Sequence, residues 1–187
     1  MKIISLALAV VFLSACQSPE NDQSTTQNVQ SKQQPTEPQE NVANEAASDL
    51  VQDGKSGPLN FTLNNLSGEQ VQAADYRGQW LILNYWATWC APCRDEIPEL
   101  VRFQNEHDNV QILGIAYEDA PVEKLQNFAA DFNVNYPLLT MDIYDPPAFA
   151  AEGGLGLPTT IVYTPEGMRH KKHMGPIDYK GLQALIE

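Results

Sequence analysis

An α/β domain, a central mixed sheet flanked by helices with a β-hairpin extension at its N-terminal side, is predicted for Pro58 to Glu187 on three observations. Trp80–Trp86 and Val110–Tyr117 are nearly continuous apolar runs rich in strand formers, as expected of strands covered on both faces. Each is followed by a stretch with helical spacing of its apolar residues, and this alternation of strand and helix sets the class. At 43% hydrophobic and 9% aromatic, the 187-residue chain also has the material for a buried core.

The elements follow in order. Leu59–Leu63 alternates apolar and polar residues as an edge strand does, Asn64–Gly68 reads as a turn, and Gln70–Ala73 as the hairpin partner. After the strand Trp80–Trp86, the segment Pro92–His107 places Ile97, Leu100, Val101 and Phe103 at helical spacing, with Pro98 expected to kink it. Val110–Tyr117 is the second buried strand, Pro121–Phe132 the second helix, Tyr136–Met141 a short extended piece and Ala148–Glu152 one helical turn. Thr159–Thr164 and Met168–Met174 are strands joined by the turn Pro165-Glu166-Gly167, and Tyr179–Ile186 is a closing helix. Beyond the hairpin the order is β-α-β-α-β-β-α.

The first 57 residues are different material. Lys2 is followed by a thirteen-residue, mostly apolar run from Ile3 to Ala15, too short to span a bilayer and suited to a signal sequence. Leu13-Ser14-Ala15-Cys16 resembles the lipobox of bacterial lipoproteins, which implies cleavage after residue 15 and lipid on Cys16. Several acyl chains make such attachment stable where one would not. Gln17 resembles the outer-membrane default of a host with two membranes. Residues 16–57 are then the lipidated cysteine and a tether dominated by Gln, Asn, Ser, Thr, Glu and Pro, without an aromatic residue. Such a stretch buries too little surface to offset its ordering entropy, and its seven Asp/Glu against two Lys keep it solvated.

Charge narrows the partners. The chain carries 24 Asp or Glu against 11 Lys or Arg, a net charge of −13, and no basic stripe, so nucleic acid is not expected to bind. Three cysteines are too few for a disulfide-stapled miniprotein.

The chemistry concentrates where the first buried strand hands over to the first helix, at Trp89-Cys90-Ala91-Pro92-Cys93. Cys90 falls near the helix N-cap and Pro92 in the first turn, where its missing N–H costs nothing. Unpaired N–H groups and the positive end of the helix dipole stabilise a thiolate there, which makes Cys90 the nucleophile. Cys93, one turn in, is placed to attack a mixed disulfide formed on Cys90. A haem attachment site would need His where Arg94 stands, and structural zinc needs four ligands, so no metal site is expected. A purely structural disulfide is the competing reading, and the position at a helix start after a central strand favours exchange. His107, His170, His173 and the Lys171-Lys172 pair read as surface residues.

The run Tyr85-Trp86-Ala87-Thr88-Trp89-Cys90-Ala91-Pro92-Cys93-Arg94, with Pro98 beyond it, resembles the thioredoxin-like thiol–disulfide oxidoreductases. It is most similar to the envelope-tethered reductase branch that includes the cytochrome c maturation thioredoxins. Gly156-Leu157-Pro158-Thr159-Thr160 resembles the family's second motif, which implies a cis Pro158 facing the dithiol and a Leu157 backbone offered to an extended substrate strand. Trp89 and Pro92 would flank the same groove. Many thioredoxins bury an Asp six residues before the first cysteine, where this chain has Asn84, which takes no proton. The tethered reductases often place an acid at the end of the next strand, and Glu118 matches that position. The resemblance therefore implies Glu118 as proton acceptor for Cys93, with a pKa raised by partial burial.

The reading that follows is a monomeric, membrane-tethered reductase of protein disulfides in the cell envelope, facing the periplasm or exterior. Its clients would be oxidised proteins such as apocytochrome c, its electrons would come from a membrane thiol donor, and it would need no cofactor beyond the Cys90–Cys93 couple. Two rivals use the same residues differently. One is a chaperone-like or copper-binding module of the groove and dithiol; the other, a thiol peroxidase, calls for a Thr-x-x-Cys element that this chain replaces with Trp89-Cys90-Ala91-Pro92-Cys93.

Overall fold

The computed structural model describes residues 53–187. The signal segment, Cys16 and most of the tether lie outside the described residues. Seven strands, β1 (Thr62–Asn65), β2 (Gln70–Gln72), β3 (Trp80–Trp86), β4 (Val110–Ala116), β5 (Leu138–Thr140), β6 (Thr159–Tyr163) and β7 (Arg169–Met174), form one sheet. Three helices accompany it: α1 (Ala91–Glu106), α2 (Val122–Asp131) and α3 (Tyr179–Leu185). The sheet order is β2-β1-β5-β4-β3-β6-β7. It is mixed: β3, β4 and β5 run parallel, while β6 is antiparallel to β3 and β7 to β6.

β3 lies between β4 and β6, and its residues split between two cores. Ile82 and Trp86 face Leu100, Phe103, Leu125, Phe128 and Leu182, so α1, α2 and α3 all cover one face. Two crossovers that step the same way along the sheet, β3 to β4 to β5, put both their helices on one side when each has the usual right hand. Leu81, Leu83 and Tyr85 face the other way, under Leu59, Phe61, Val71, Phe149 and Ala150. That second face is covered by the N-terminal segment and the 147–155 turn.

Several boundaries move. The strand expected at Leu59–Leu63 starts at Thr62, and it is not an edge: β1 pairs with both β2 and β5. Leu59 and Phe61 alternate because they plug the second core, with the Leu59 N–H donating to the Gly167 carbonyl at 2.8 Å. The turn that follows is held by the Asn65 side chain, whose Oδ1 accepts from Ser67 N and Glu69 N at 2.9 Å each. Gly68 there has φ +83°, a conformation open to glycine. Ala73 belongs to a 3-10 turn, Ala73–Tyr76. The helical turn expected at Ala148–Glu152 is a set of tight turns, and a 3-10 turn comes after it at Gly153–Leu155.

Residues 53–57, polar in composition, pack onto the sheet. The Gly54 carbonyl accepts from Arg169 N at 2.8 Å. Lys55 pairs with Glu152, whose carboxylate also accepts from Arg169 Nη1 at 3.0 Å and Nη2 at 2.7 Å and from Lys172 Nζ at 3.3 Å. An irregularity in the β6–β7 register, opposite Val162 and Tyr163, lets Arg169 and Lys172 reach one carboxylate although they are three positions apart.

Candidate active site

β3 delivers the chain to the site and α1 carries it away. The Cys90 N–H donates to the Ala87 carbonyl at 3.2 Å, which turns the chain, and Cys90 is the N-cap of α1 with Pro92 in the first turn. Cys90 and Cys93 form a disulfide with their Cα atoms 5.3 Å apart. The Cys93 N–H donates to Cys90 Sγ at 3.3 Å, a first-turn helix amide aimed at the sulfur that would carry the negative charge. Both cysteines are buried, whereas the neighbouring Trp89 is 67% exposed.

The second motif arrives from the adjacent strand. β6 pairs with β3 through Tyr85↔Thr159 and Asn84↔Thr160, so the residues just before β6 stand beside those just after β3. The Leu157–Pro158 peptide is cis, and the Pro158 carbonyl accepts from Gly175 N at 2.9 Å. Leu157 packs against both cores. Trp89, Cys90, Pro92, Cys93, Leu157 and Pro158 thus meet at one end of the sheet.

Glu118 is at this end too, in a setting unlike the one its position suggests. Its Oε1 accepts from the Thr88 N–H at 2.6 Å, and its Oε2 accepts from the Thr88 hydroxyl at 3.1 Å and from Lys124 Nζ at 2.8 Å. Burial pushes its pKa up, but the Lys124 ammonium and the two Thr88 donors outweigh burial and hold it below the ordinary carboxylate value. The raised pKa expected of Glu118 is therefore corrected: three donors keep it ionised and fasten it to the loop before Cys90.

The carboxylate whose pKa is pushed up is Glu96, which belongs to neither sequence motif. It lies on α1 one turn past Cys93 and is 3% exposed. Its Oε1 accepts from Asn84 Nδ2 at 2.7 Å and its Oε2 from Ile177 N at 2.9 Å. Burial raises its pKa to about 7 against the opposing pull of those two bonds. Asn84, in the place where an acid was missed, thus holds an acid supplied by the helix. A signal did exist: positions 93, 96, 97, 100 and 103 form the buried stripe of α1, and a Glu within such a stripe is out of pattern. Among the described residues no group of three His, Cys, Asp or Glu is arranged to hold a metal ion.

Comparison with known proteins gives consistent results. The sequence profile described as the AhpC/TSA family matches residues 54–168. Thioredoxin-like protein YneN of Bacillus subtilis is 29% identical over 141 residues, covering 73% of this chain and 80% of that one. Thiol-disulfide oxidoreductase ResA of the same organism is 29% identical over 131 residues, 65% of this chain and 67% of that one. Among solved structures, a secreted Mycobacterium tuberculosis disulfide oxidoreductase homologous to E. coli DsbE superposes with a TM-score of 0.56 at 25% identity. It is matched over 92% of its length and 66% of this chain.

Proposed function

Because the chain belongs to the AhpC/TSA family and is a thioredoxin-like thiol–disulfide oxidoreductase, we propose that it reduces protein disulfides outside the cytoplasm while held to a membrane by lipid on Cys16. One observation carries the chemical half of this reading: a Cys90–Cys93 pair at the start of α1, with a first-turn amide on Cys90 Sγ and a cis proline on the neighbouring strand. In the reduced protein the Cys90 thiolate attacks one sulfur of a client disulfide, forming a mixed disulfide and releasing one client thiolate. The Cys93 thiolate then attacks Cys90 Sγ, closes the Cys90–Cys93 disulfide and releases the second client thiolate. Two electrons pass to the client, and a membrane thiol donor returns them to the dithiol.

Cys93 is a poor nucleophile until it loses its proton, because burial favours the neutral thiol. Glu96, rather than Glu118, has the ionisation suited to exchange that proton near neutral pH. Glu118 is a positioning residue that anchors Thr88 and, through it, Trp89 and Cys90. Trp89, Pro92, Leu157 and Pro158 line the place where the client strand lies, and no cofactor beyond the dithiol is required. Resemblance to the cytochrome c maturation branch makes apocytochrome c the first client to test. Gln17 after the lipidated cysteine favours the outer membrane in a host that has one. No helix among the described residues is long and apolar enough to cross a membrane.

Client capture in the native host tests the reading. A Cys93→Ser variant is expected to accumulate mixed disulfides through Cys90, and Cys90→Ser none; equal trapping by both would reverse the assigned order, and trapping by neither would remove the reductase role.

A further inference from the structure

The dithiol has two flanks, and the cis-proline loop occupies only one of them. β4 and β6 lie on opposite sides of β3. Leu157–Pro158 leads into β6, whereas α2 follows β4 and stands on the other flank of Cys90 and Cys93. There a groove of about 580 Å³ opens between α1 and α2, a volume in the range of small-molecule sites. Thr88, two residues before Cys90, and Arg94, next after Cys93, are on its wall. The groove therefore abuts the dithiol loop on the side away from the proline.

Pro121, Phe128 and Phe132 give this groove an apolar wall, with the two phenyl rings stacked at 4.5 Å, and the Asn127 amide adds a donor and an acceptor. Four charged residues line it as well: Arg94, Glu123, Lys124 and Asp131. Lys124 is held by Glu118 at 2.8 Å. Among the described residues the other three enter no ion pair, and the Arg94 guanidinium lies over Phe132, 5.5 Å from the ring centroid. One unpaired cation and two unpaired carboxylates thus border a single apolar wall without meeting.

We propose that this groove seats the amino-acid head group of a small zwitterionic disulfide, of which cystine is the simplest, and that the protein reduces such disulfides as a second activity. A zwitterion leaves neither sign unmatched: its carboxylate meets Arg94, its ammonium meets Asp131, and its methylene packs on the phenyl rings. A dianion is repelled by the net charge of −9 over residues 58–187, from eight Lys/Arg and seventeen Asp/Glu, and a dication faces Arg94. With one head group held between Thr88 and Arg94, which flank the cysteines in the chain, the attached sulfur is brought to Cys90. The Cys90 thiolate attacks that sulfur, the cystine S–S bond breaks, and one cysteine leaves as its thiolate. The Cys93 thiolate then attacks Cys90 Sγ, closing the Cys90–Cys93 disulfide and releasing the second cysteine. Cystine gains two electrons and two protons, and the dithiol loses them.

The chemistry rests on the reductase reading, and the test separates the two. The reduced full-length protein is mixed with cystine, with the dication cystamine or with the dianion 3,3′-dithiodipropionate, and closure of Cys90–Cys93 is followed by acid quench and alkylation. Each rate is divided by the same disulfide's rate with dithiothreitol at that pH. Uncharged 2,2′-dithiodipyridine reports on the dithiol itself. Two ionic contacts worth about threefold each should put cystine about tenfold ahead of both other aliphatic disulfides. Arg94→Gln and Asp131→Asn should each cut that lead by about threefold, with the 2,2′-dithiodipyridine rate unchanged. Asp131→Asn is the decisive variant, because Arg94 adjoins Cys93 in the chain. Equal relative rates for the three disulfides with the unaltered protein, or a cystine lead that survives Asp131→Asn, would overturn the site while leaving the reductase reading in place. Failure to reduce any of the four disulfides would overturn both.

Discussion

The Asn84 side-chain amide donates to Glu96 Oε1 at 2.7 Å, joining the middle of β3 to the active-site helix inside the core. The bond places an ionisable carboxyl one turn beyond Cys93 and leaves it short of solvent. Its second oxygen is taken by Ile177 N at 2.9 Å, so ionisation is favoured by two donors and still loses to burial.

Glu96 makes stability fall as pH rises. An acid raised from 4.5 unfolded to about 7 folded keeps its proton in the native state across that window, where the unfolded chain has already lost it. The native state is favoured at the acid end, and the advantage is lost between pH 4.5 and 7, by about 3 kcal/mol at 1.36 kcal/mol per unit. Urea titrations at pH 4.5 and pH 8 should show this loss in the unaltered protein and most of it gone in Glu96→Gln.

Glu118 acts by holding Thr88, and its pKa lies below the usual carboxylate range, so it stays ionised at every pH from 5 to 9. Glu118→Gln should therefore slow disulfide exchange by the same factor across that range. Stopped-flow rates that recover as pH rises would instead make it a proton acceptor. Glu118→Ala, which leaves the Thr88 N–H without its acceptor, should cost about 2 kcal/mol of stability in denaturant.

Gly153 is pressed against Tyr85, which is fully buried and donates its hydroxyl to the Phe149 carbonyl at 3.1 Å. The ring cannot swing away from an added methyl 2.2 Å from it. Gly153→Ala should lower stability by about 2–3 kcal/mol, read as a drop in Tm. At Gly68, where a Cβ meets nothing within 4 Å but φ is +83°, alanine should cost about 1 kcal/mol through backbone strain alone.

Glu152 runs opposite to Glu96. Its hydrogen bonds to Arg169 first, then to Lys55, hold its pKa well below the carboxylate range against the opposing effect of burial. A depressed acid contributes its stability above the unfolded pKa and loses it as pH falls toward the folded one. With about a third of the side chain exposed (32%), the loss below pH 4.5 is screened to about 1 kcal/mol. Glu152→Gln should flatten the acid limb of the denaturation profile by that amount.

Cys16→Ser should abolish labelling by a radioactive fatty acid and move the protein from the membrane to the soluble fraction. Labelling that persists in the variant would remove the lipid tether.

The dithiol, its place at a helix start and both core strands were legible because local pattern determines them: apolar runs, a proline that fits a first turn, two cysteines three apart. The 147–155 turn and the true start of β1 were not, since Gly153 and Phe61 are placed by what they touch across the sheet. The lowered pKa of Glu118 has no local signal, because Lys124 and Thr88, which set it, come from other elements. Glu96 needed Asn84, twelve positions away, before its environment made sense. The irregularity in β7 that brings Arg169 and Lys172 to one carboxylate leaves no mark in the run Arg169-His170-Lys171-Lys172-His173-Met174.

That run is also one rim of the sheet. Among the described residues β7 has no neighbour beyond it, and an open rim of backbone donors and acceptors is a template onto which another chain can polymerise. Five consecutive basic or imidazole side chains make such stacking self-repelling. Two copies brought edge to edge would be kept from zipping together by the same cations that anchor Glu152.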